Sequence, residues 1–198
     1  VVVRNFYSQT RVSESNDSDV GRVLVMYHGH VKHGEQYFGG TFRHQATAYY
    51  CTACGIGQAL QTLPQNTPHR NGILGLGAGT LAAYGRSGDV IRIYEINPQV
   101  LDLAKSEFTY LSDTPARVEN VLGDGRLMLE RDQPQNFDIL IMDAFSGDSI
   151  PTHLLTLEAM RGYLRHLAPN GMLALHITNR YLDLRPVIAA AARELHLR

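Results

Sequence analysis

Residues 73–98, ILGLGAGTLAAYGRSGDVIRIYEINP, decide the fold. The stretch opens on an apolar run and turns through Gly75, Gly77 and Gly79. A short helix-like segment follows at 79–84, and a second apolar run at 90–96 carries Glu95 near its tip. This order of strand, glycine turn, helix, strand and acid builds a nucleoside site. Glycines let backbone N–H groups approach a ligand closely, and a helix N-terminus adds a positive dipole. An acid at the end of the second strand accepts hydrogen bonds from ribose hydroxyls.

The turn admits three readings. Gly77-Ala78-Gly79-Thr80-Leu81-Ala82 fits G-x-G-x-x-A, a dinucleotide variant that points to NAD. Gly75, Gly77 and Gly79 also read as G-x-G-x-G. With Glu95 before Asn97-Pro98, Asp124 in LGDGR and Asp143 after a later strand, that pattern points to S-adenosylmethionine or a relative. All three acids then lie at carboxyl ends of strands, where ligands sit in open α/β sheets, and Asp124 suits an adenine amino group. The third reading is structural, with glycines for a tight turn and acids for helix caps.

Outward from this stretch, strands and helices alternate. Strands are expected at 72–75, 90–96, 117–122, 137–143 and 172–178, and helices at 79–84, 98–110, 125–131, 153–167 and 185–197. Pro98 and Pro151 stand where helices begin, and Asn170-Gly171 turns into the last strand. ILIMDAF is apolar on both faces, as in the middle of a parallel sheet covered on both sides. Ahead of this, 1–12 and 22–31 read as strands, 32–40 as further turns, and 47–63 as a glycine-containing helix. The expectation is an α/β chain: a small β-rich N-terminal cap at 1–46 and a doubly wound, mostly parallel Rossmann-like domain at 47–198. One or two C-terminal strands of such a sheet are expected to be missing, and a start at Val1 reads as a piece of something longer.

Bulk properties narrow the function. The chain has 198 residues, 44% hydrophobic and 19% charged, enough for one domain with a real core. A net charge of −1 gives no basic field for nucleic acid or an anionic membrane. No apolar run approaches the ~20 residues of a membrane helix, and no signal peptide opens the chain. Cys51 and Cys54 lie too close to staple a fold, which fits a reducing, cytoplasmic compartment. Beside His28, His30, His33 and His44 they raise a metal or a redox C-x-x-C, but the histidine spacing matches no known finger. The plainer reading makes both cysteines small packing residues on a helix, and no metal is expected.

Several motifs in order, HGHVKHGEQYF, GLGAGTLAAYG with YEINP, LGDGR, MDAFSGDSIPTHLLT and LHITNRYLDL, make the chain resemble the spermidine synthase (polyamine aminopropyltransferase) family. The likeness is to its bacterial spermidine-synthase-like branch. It implies a β-rich region ahead of a methyltransferase-like domain, and a role in polyamine biosynthesis. The co-substrate would be decarboxylated S-adenosylmethionine or S-adenosylmethionine itself. It also implies dimers, and a fused membrane segment that would make this the cytoplasmic part of a longer chain. By similarity Gln36 touches the cofactor's amino or carboxyl tail, Glu95 the ribose and Asp124 the adenine, while Asp143 catalyses transfer. The family's D-x-x-D-P is replaced here by Asp143 and Asp148 five positions apart, with Pro151 displaced.

The implied chemistry is attack of an amine such as putrescine on a carbon beside a sulfonium, with Asp143 orienting the amine and accepting its proton. Asp148 is a candidate for a second ammonium, or an N-cap. Tyr49, Tyr50 and Tyr181 are candidates for a cation–π wall, or core. Asn179 and Arg180 stand where substrate contact and simple strand termination are equally open. Two alternatives remain: an S-adenosylmethionine-dependent small-molecule methyltransferase, and a non-catalytic nucleoside-sensing module.

Overall fold

A computed structural model describes residues 1–145, 150–178 and 182–197. Asp148, Asn179, Arg180 and Tyr181 lie outside the described residues. The chain begins with an antiparallel sheet of β1 (Val2–Arg4), β2 (Gln9–Asp17), β3 (Gly21–His28) and β4 (Val31–Tyr37) in sequential order. Alternation in β2 and β3 buries Val12, Leu24 and Met26 against Ala78, Leu103 and Phe108 of the α/β region, with Thr10 also buried. The expectation of turns at 32–40 is corrected for its first six residues. Lys32-His33-Gly34-Glu35-Gln36-Tyr37 has no apolar alternation, yet it pairs with β3, from Val23 opposite Tyr37 to His28 opposite Val31.

The helix expected over 47–63 is broken. Ala48–Tyr50 is a single 3-10 turn, and α1 begins only at Gly55 and runs to Gln61. Between them Cys51 and Cys54 are joined by a disulfide, their Cα atoms 5.2 Å apart. The cysteines are therefore not packing residues within a helix, and they no longer argue for a reducing compartment. The Cys54 N–H donates to the Cys51 carbonyl at 2.9 Å, closing the turn that α1 starts from.

The second sheet is parallel. Its strands are β5 (Arg70–Leu74), β6 (Val90–Glu95), β7 (Arg117–Leu122), β8 (Phe137–Met142) and β9 (Leu167–Leu175), in the order β7-β6-β5-β8-β9. Period-two burial divides its core cleanly. Ile73, Ile91, Ile93, Ile139 and Ile141 face one layer with Leu81 and Tyr110. Leu74, Tyr94, Leu140 and Met142 face the other, with Leu129 and Tyr163. Each such fully buried side chain contributes roughly 1.5–3 kcal/mol. The layers are α1, α2 (Pro98–Ser106) and α3 (Tyr110–Asp113) with the 3-10 turn Thr80–Tyr84, then α4 (Gly125–Arg131) and α5 (Leu157–Arg165); α6 (Arg185–Glu194) ends the described helices.

Caps fix where the helices begin. The Asn97 side chain accepts from the Gln99 N–H with Pro98 in the first turn, Asp124 accepts from Leu127, and Thr156 from Ala159. The chain grows from β5 out to β7, then returns to β8 on the other side. This reversal leaves a crevice between the carboxyl ends of β5 and β8. Among the described residues no helix is long and apolar enough to cross a membrane.

Candidate functional site

Each parallel strand delivers a residue to the carboxyl edge of the sheet that shapes or arms the site. Gly75 follows β5, Glu95 ends β6, Asp124 follows β7, Asp143 follows β8 and His176 follows β9. Backbone bonds carry the sheet ladder into these positions: Gly75 N–H to Tyr94 O and Asp143 N–H to Leu74 O at 2.8 Å, His176 N–H to Met142 O at 3.0 Å. The side chains therefore leave from a rigid edge.

Gly75, Gly77, Glu95, Asp124 and Asp143 line one cavity of about 220 Å³, together with Tyr49 and Tyr50. Gly75 (φ 95°) and Gly77 (φ 53°) are in conformations that L side chains avoid. A Cβ on Gly75 would strike the Asp143 carbonyl, and one on Gly77 would come within 2.5 Å of the His33 carbonyl of β4. The glycines thus let the antiparallel sheet and the end of β8 close on the turn. Gly79 is outside this lining; its φ of 84° caps the Thr80–Tyr84 turn. That segment is only five residues of 3-10 helix, so the expected helix dipole is replaced by local N–H groups.

Glu95 accepts from the Leu76 N–H at 2.9 Å and the Asn97 N–H at 2.8 Å. Burial pushes its carboxyl up from the ordinary range, and these amides partly oppose the shift. A carboxylate has about four acceptor sites, so a ribose can still be held. Asp124 has two partners: Oδ1 caps α4 at Leu127, and Oδ2 lies 3.0 Å from His153 Nε2. Gln36 is elsewhere. It is fully buried outside the cavity lining, bonded to the Arg43 carbonyl and to the Thr109 backbone and hydroxyl.

Asp143 is the hub. Its side chain is 7% exposed, with Oδ1 2.6 Å from His176 Nδ1 and Oδ2 accepting from the Tyr50 hydroxyl at 2.5 Å. Burial, then the Asp143 charge, push the Tyr50 hydroxyl well above its usual range and that of Tyr49 to about 12, so both stay protonated donors. His176 was not singled out by sequence. Its signal was the same as that of Asp143, a polar residue ending an apolar strand, but its meaning depends on β9 lying beside β8. His153 was likewise passed over. A second cavity, of about 540 Å³, meets the first at Tyr49, Tyr50 and Asp143 and continues past His176 along Ile56, Ala59, Ile141, Met172 and Ala174.

No protein-family model matches the chain. It is 33% identical to the polyamine aminopropyltransferase of Vibrio vulnificus over 113 residues, 54% of this chain. The match spans 36% of the length of the curated relatives it resembles, little more than a third. Among solved structures, a probable spermidine synthase from Corynebacterium glutamicum aligns with 100% of this chain and 70% of its own, at TM-score 0.77 and 21% identity. Human methyltransferase-like protein 13 in complex with SAH aligns with 70% of this chain and 68% of its own, at TM-score 0.58 and 21% identity. The chain has the class I S-adenosylmethionine-dependent methyltransferase fold, preceded by an antiparallel sheet.

Proposed function

We propose that the chain is the S-adenosyl-binding and catalytic part of a transferase. It moves an aminopropyl group from decarboxylated S-adenosylmethionine to an amine such as putrescine. One observation carries the choice of co-substrate. Among the described residues, the nucleoside cavity is lined by three carboxylates, Glu95, Asp124 and Asp143, and by no Lys or Arg. Three imidazoles, His28, His33 and His153, also line it; burial holds that of His28 below its ordinary range, and that of His153 faces Asp124 Oδ2 at 3.0 Å. Such a cavity favours a cationic ligand and works against the carboxylate of an intact methionine tail. The Vibrio vulnificus relative's name, and the alignment of this chain with 70% of the probable spermidine synthase, support the same choice.

In this reading Glu95 receives the ribose hydroxyls, and the Gly75–Gly77 backbone lets the ligand lie flat on the turn. Asp124 faces the adenine, and Asp143 sets a negative charge where the two cavities meet. When bound, the sulfonium supplies an electrophilic carbon and leaves as a neutral thioether. A second reading, methyl transfer from S-adenosylmethionine, is favoured by the second cavity. Among its described lining residues Asp143 is the one acid, so a diamine's far ammonium finds no partner there.

Paired calorimetric titrations separate the two. Aminopropyl transfer predicts at least tenfold tighter binding of decarboxylated S-adenosylmethionine than of the intact form. Equal or reversed affinity moves the assignment to methyl transfer, and binding of neither removes the nucleoside reading.

A further inference from the structure

We propose that His176 takes the proton from the acceptor and that Asp143 is its positioning residue; this rests on the transferase reading above. An ionised carboxylate only accepts hydrogen bonds. The 2.6 Å contact from Asp143 Oδ1 therefore places the ring proton of His176 on Nδ1 and its lone pair on Nε2. The ring is clasped between Tyr49 and Phe145, with centroids 4.9 and 4.8 Å away, so its direction is fixed. Its backbone N–H is pinned to Met142.

Asp143 is the weaker candidate for the same task. Both its oxygens are committed to short bonds, one to His176 and one to Tyr50, in a side chain nearly closed to solvent. Two bound donors leave that carboxylate fewer lone pairs for an incoming ammonium. Tyr50 is a donor and cannot be the base. His176 lines the second cavity and not the first, so an acceptor entering by that route meets the imidazole. The titratable groups facing the ring, among the described residues, are Asp143, Tyr49 and Tyr50.

The step balances. An ammonium proton passes first to Nε2, and the resulting imidazolium is held by the Asp143 carboxylate through Nδ1–H. The freed amine lone pair forms the new N–C bond while the C–S bond breaks, its electron pair going to sulfur. The product is a secondary ammonium, which keeps its protons near neutrality, and the imidazolium returns the proton it took to solvent.

His176→Gln tests this, because an amide still donates to Asp143 and fills similar space but offers no basic nitrogen. With decarboxylated S-adenosylmethionine and putrescine as probes, kcat should fall at least 100-fold. Affinity for the nucleoside ligand, read by calorimetry, should stay within threefold. Retention of kcat within threefold would overturn the proposal. A second readout needs neither turnover nor a variant of His176. Diethyl pyrocarbonate should carbethoxylate His176 in the intact protein, mapped by peptide mass, and at least fivefold more slowly in Asp143→Asn. A His176 inert to the reagent, or unaffected by Asp143→Asn, also overturns it. Wild-type protein that does not turn over this pair of probes while His176 reacts in this way would sink the aminopropyl-transfer reading and leave the oriented imidazole standing.

Discussion

Glu95 shows how one side chain divides between folding and binding. Its carboxylate is held by two backbone amides, Leu76 and Asn97, in a partly buried niche at the end of β6. Burial nevertheless raises its proton affinity in the folded chain. A carboxyl with a raised folded pKa favours the fold most below its ordinary value, near ~4.3, and that contribution is lost as pH rises through the folded value. Glu95→Gln should therefore raise the thermal midpoint of the ligand-free protein at pH 7 and lose that gain below about pH 4. It should also weaken nucleoside binding at least tenfold, since charge-assisted bonds to the ribose are lost. A midpoint lowered at pH 7 would reverse the assignment of burial as the dominant cause. At this scale Glu95, Asp124 and Asp143 were legible because each acid interrupts or ends an apolar run. His176 ends one too, in LALHIT, but only the β8–β9 pairing puts it on Asp143.

The elements were legible where burial follows a period, and obscure where polar partners replace it. β8, apolar on both faces, and α4, opened by Asp124, fall where the pattern puts them. β4 does not, because its Glu35 and Gln36 are buried through hydrogen bonds, one of them from Thr47 to the Glu35 carbonyl, that no hydropathy pattern announces. The same strand explains the glycine turn. His33 O lies 2.5 Å from where a Cβ of Gly77 would be, and a Cβ on Gly34 would come within 2.6 Å of Ala78 Cβ. The turn is thus shaped as much by β4 above it as by a ligand. Gly77→Ala combines a left-handed backbone cost of about 1–2 kcal/mol with a clash against backbone that cannot swing aside. Unfolding by denaturant should show a loss of about 2–4 kcal/mol, with nucleoside affinity falling in the protein that remains folded. A loss below about 0.5 kcal/mol would mean that β4 does not press on the turn.

For the whole molecule, the two sheets are joined through specific polar ties as well as apolar contact. Arg43 grips Asp113 of α3 through two nitrogens, at 2.9 and 3.3 Å, and Asn5 donates to the Asn97 cap at 2.6 Å. The Tyr110 hydroxyl donates toward the Glu35 and Gln45 carbonyls at 2.9 and 3.0 Å. Gln36 is the most buried of these ties, and here the resemblance and the structure imply different phenotypes. If its amide holds the tail of a ligand, Gln36→Ala leaves stability alone and weakens binding. In the structure it instead donates to the Arg43 carbonyl at 2.9 Å and the Thr109 hydroxyl at 2.8 Å, and accepts from the Thr109 N–H at 2.9 Å. Truncation would leave those groups without partners and open a cavity, costing about 2–4 kcal/mol. Because β4 also presses on the glycine turn, nucleoside affinity should fall only as far as the antiparallel sheet loosens. The binding defect should then be recovered at lower temperature, where the fold is restored. Thermal unfolding and titration of the same variant decide the matter. An unchanged midpoint with a tenfold loss of affinity would return Gln36 to the ligand, whereas a lowered midpoint with temperature-dependent recovery fixes it as the tie between the sheets.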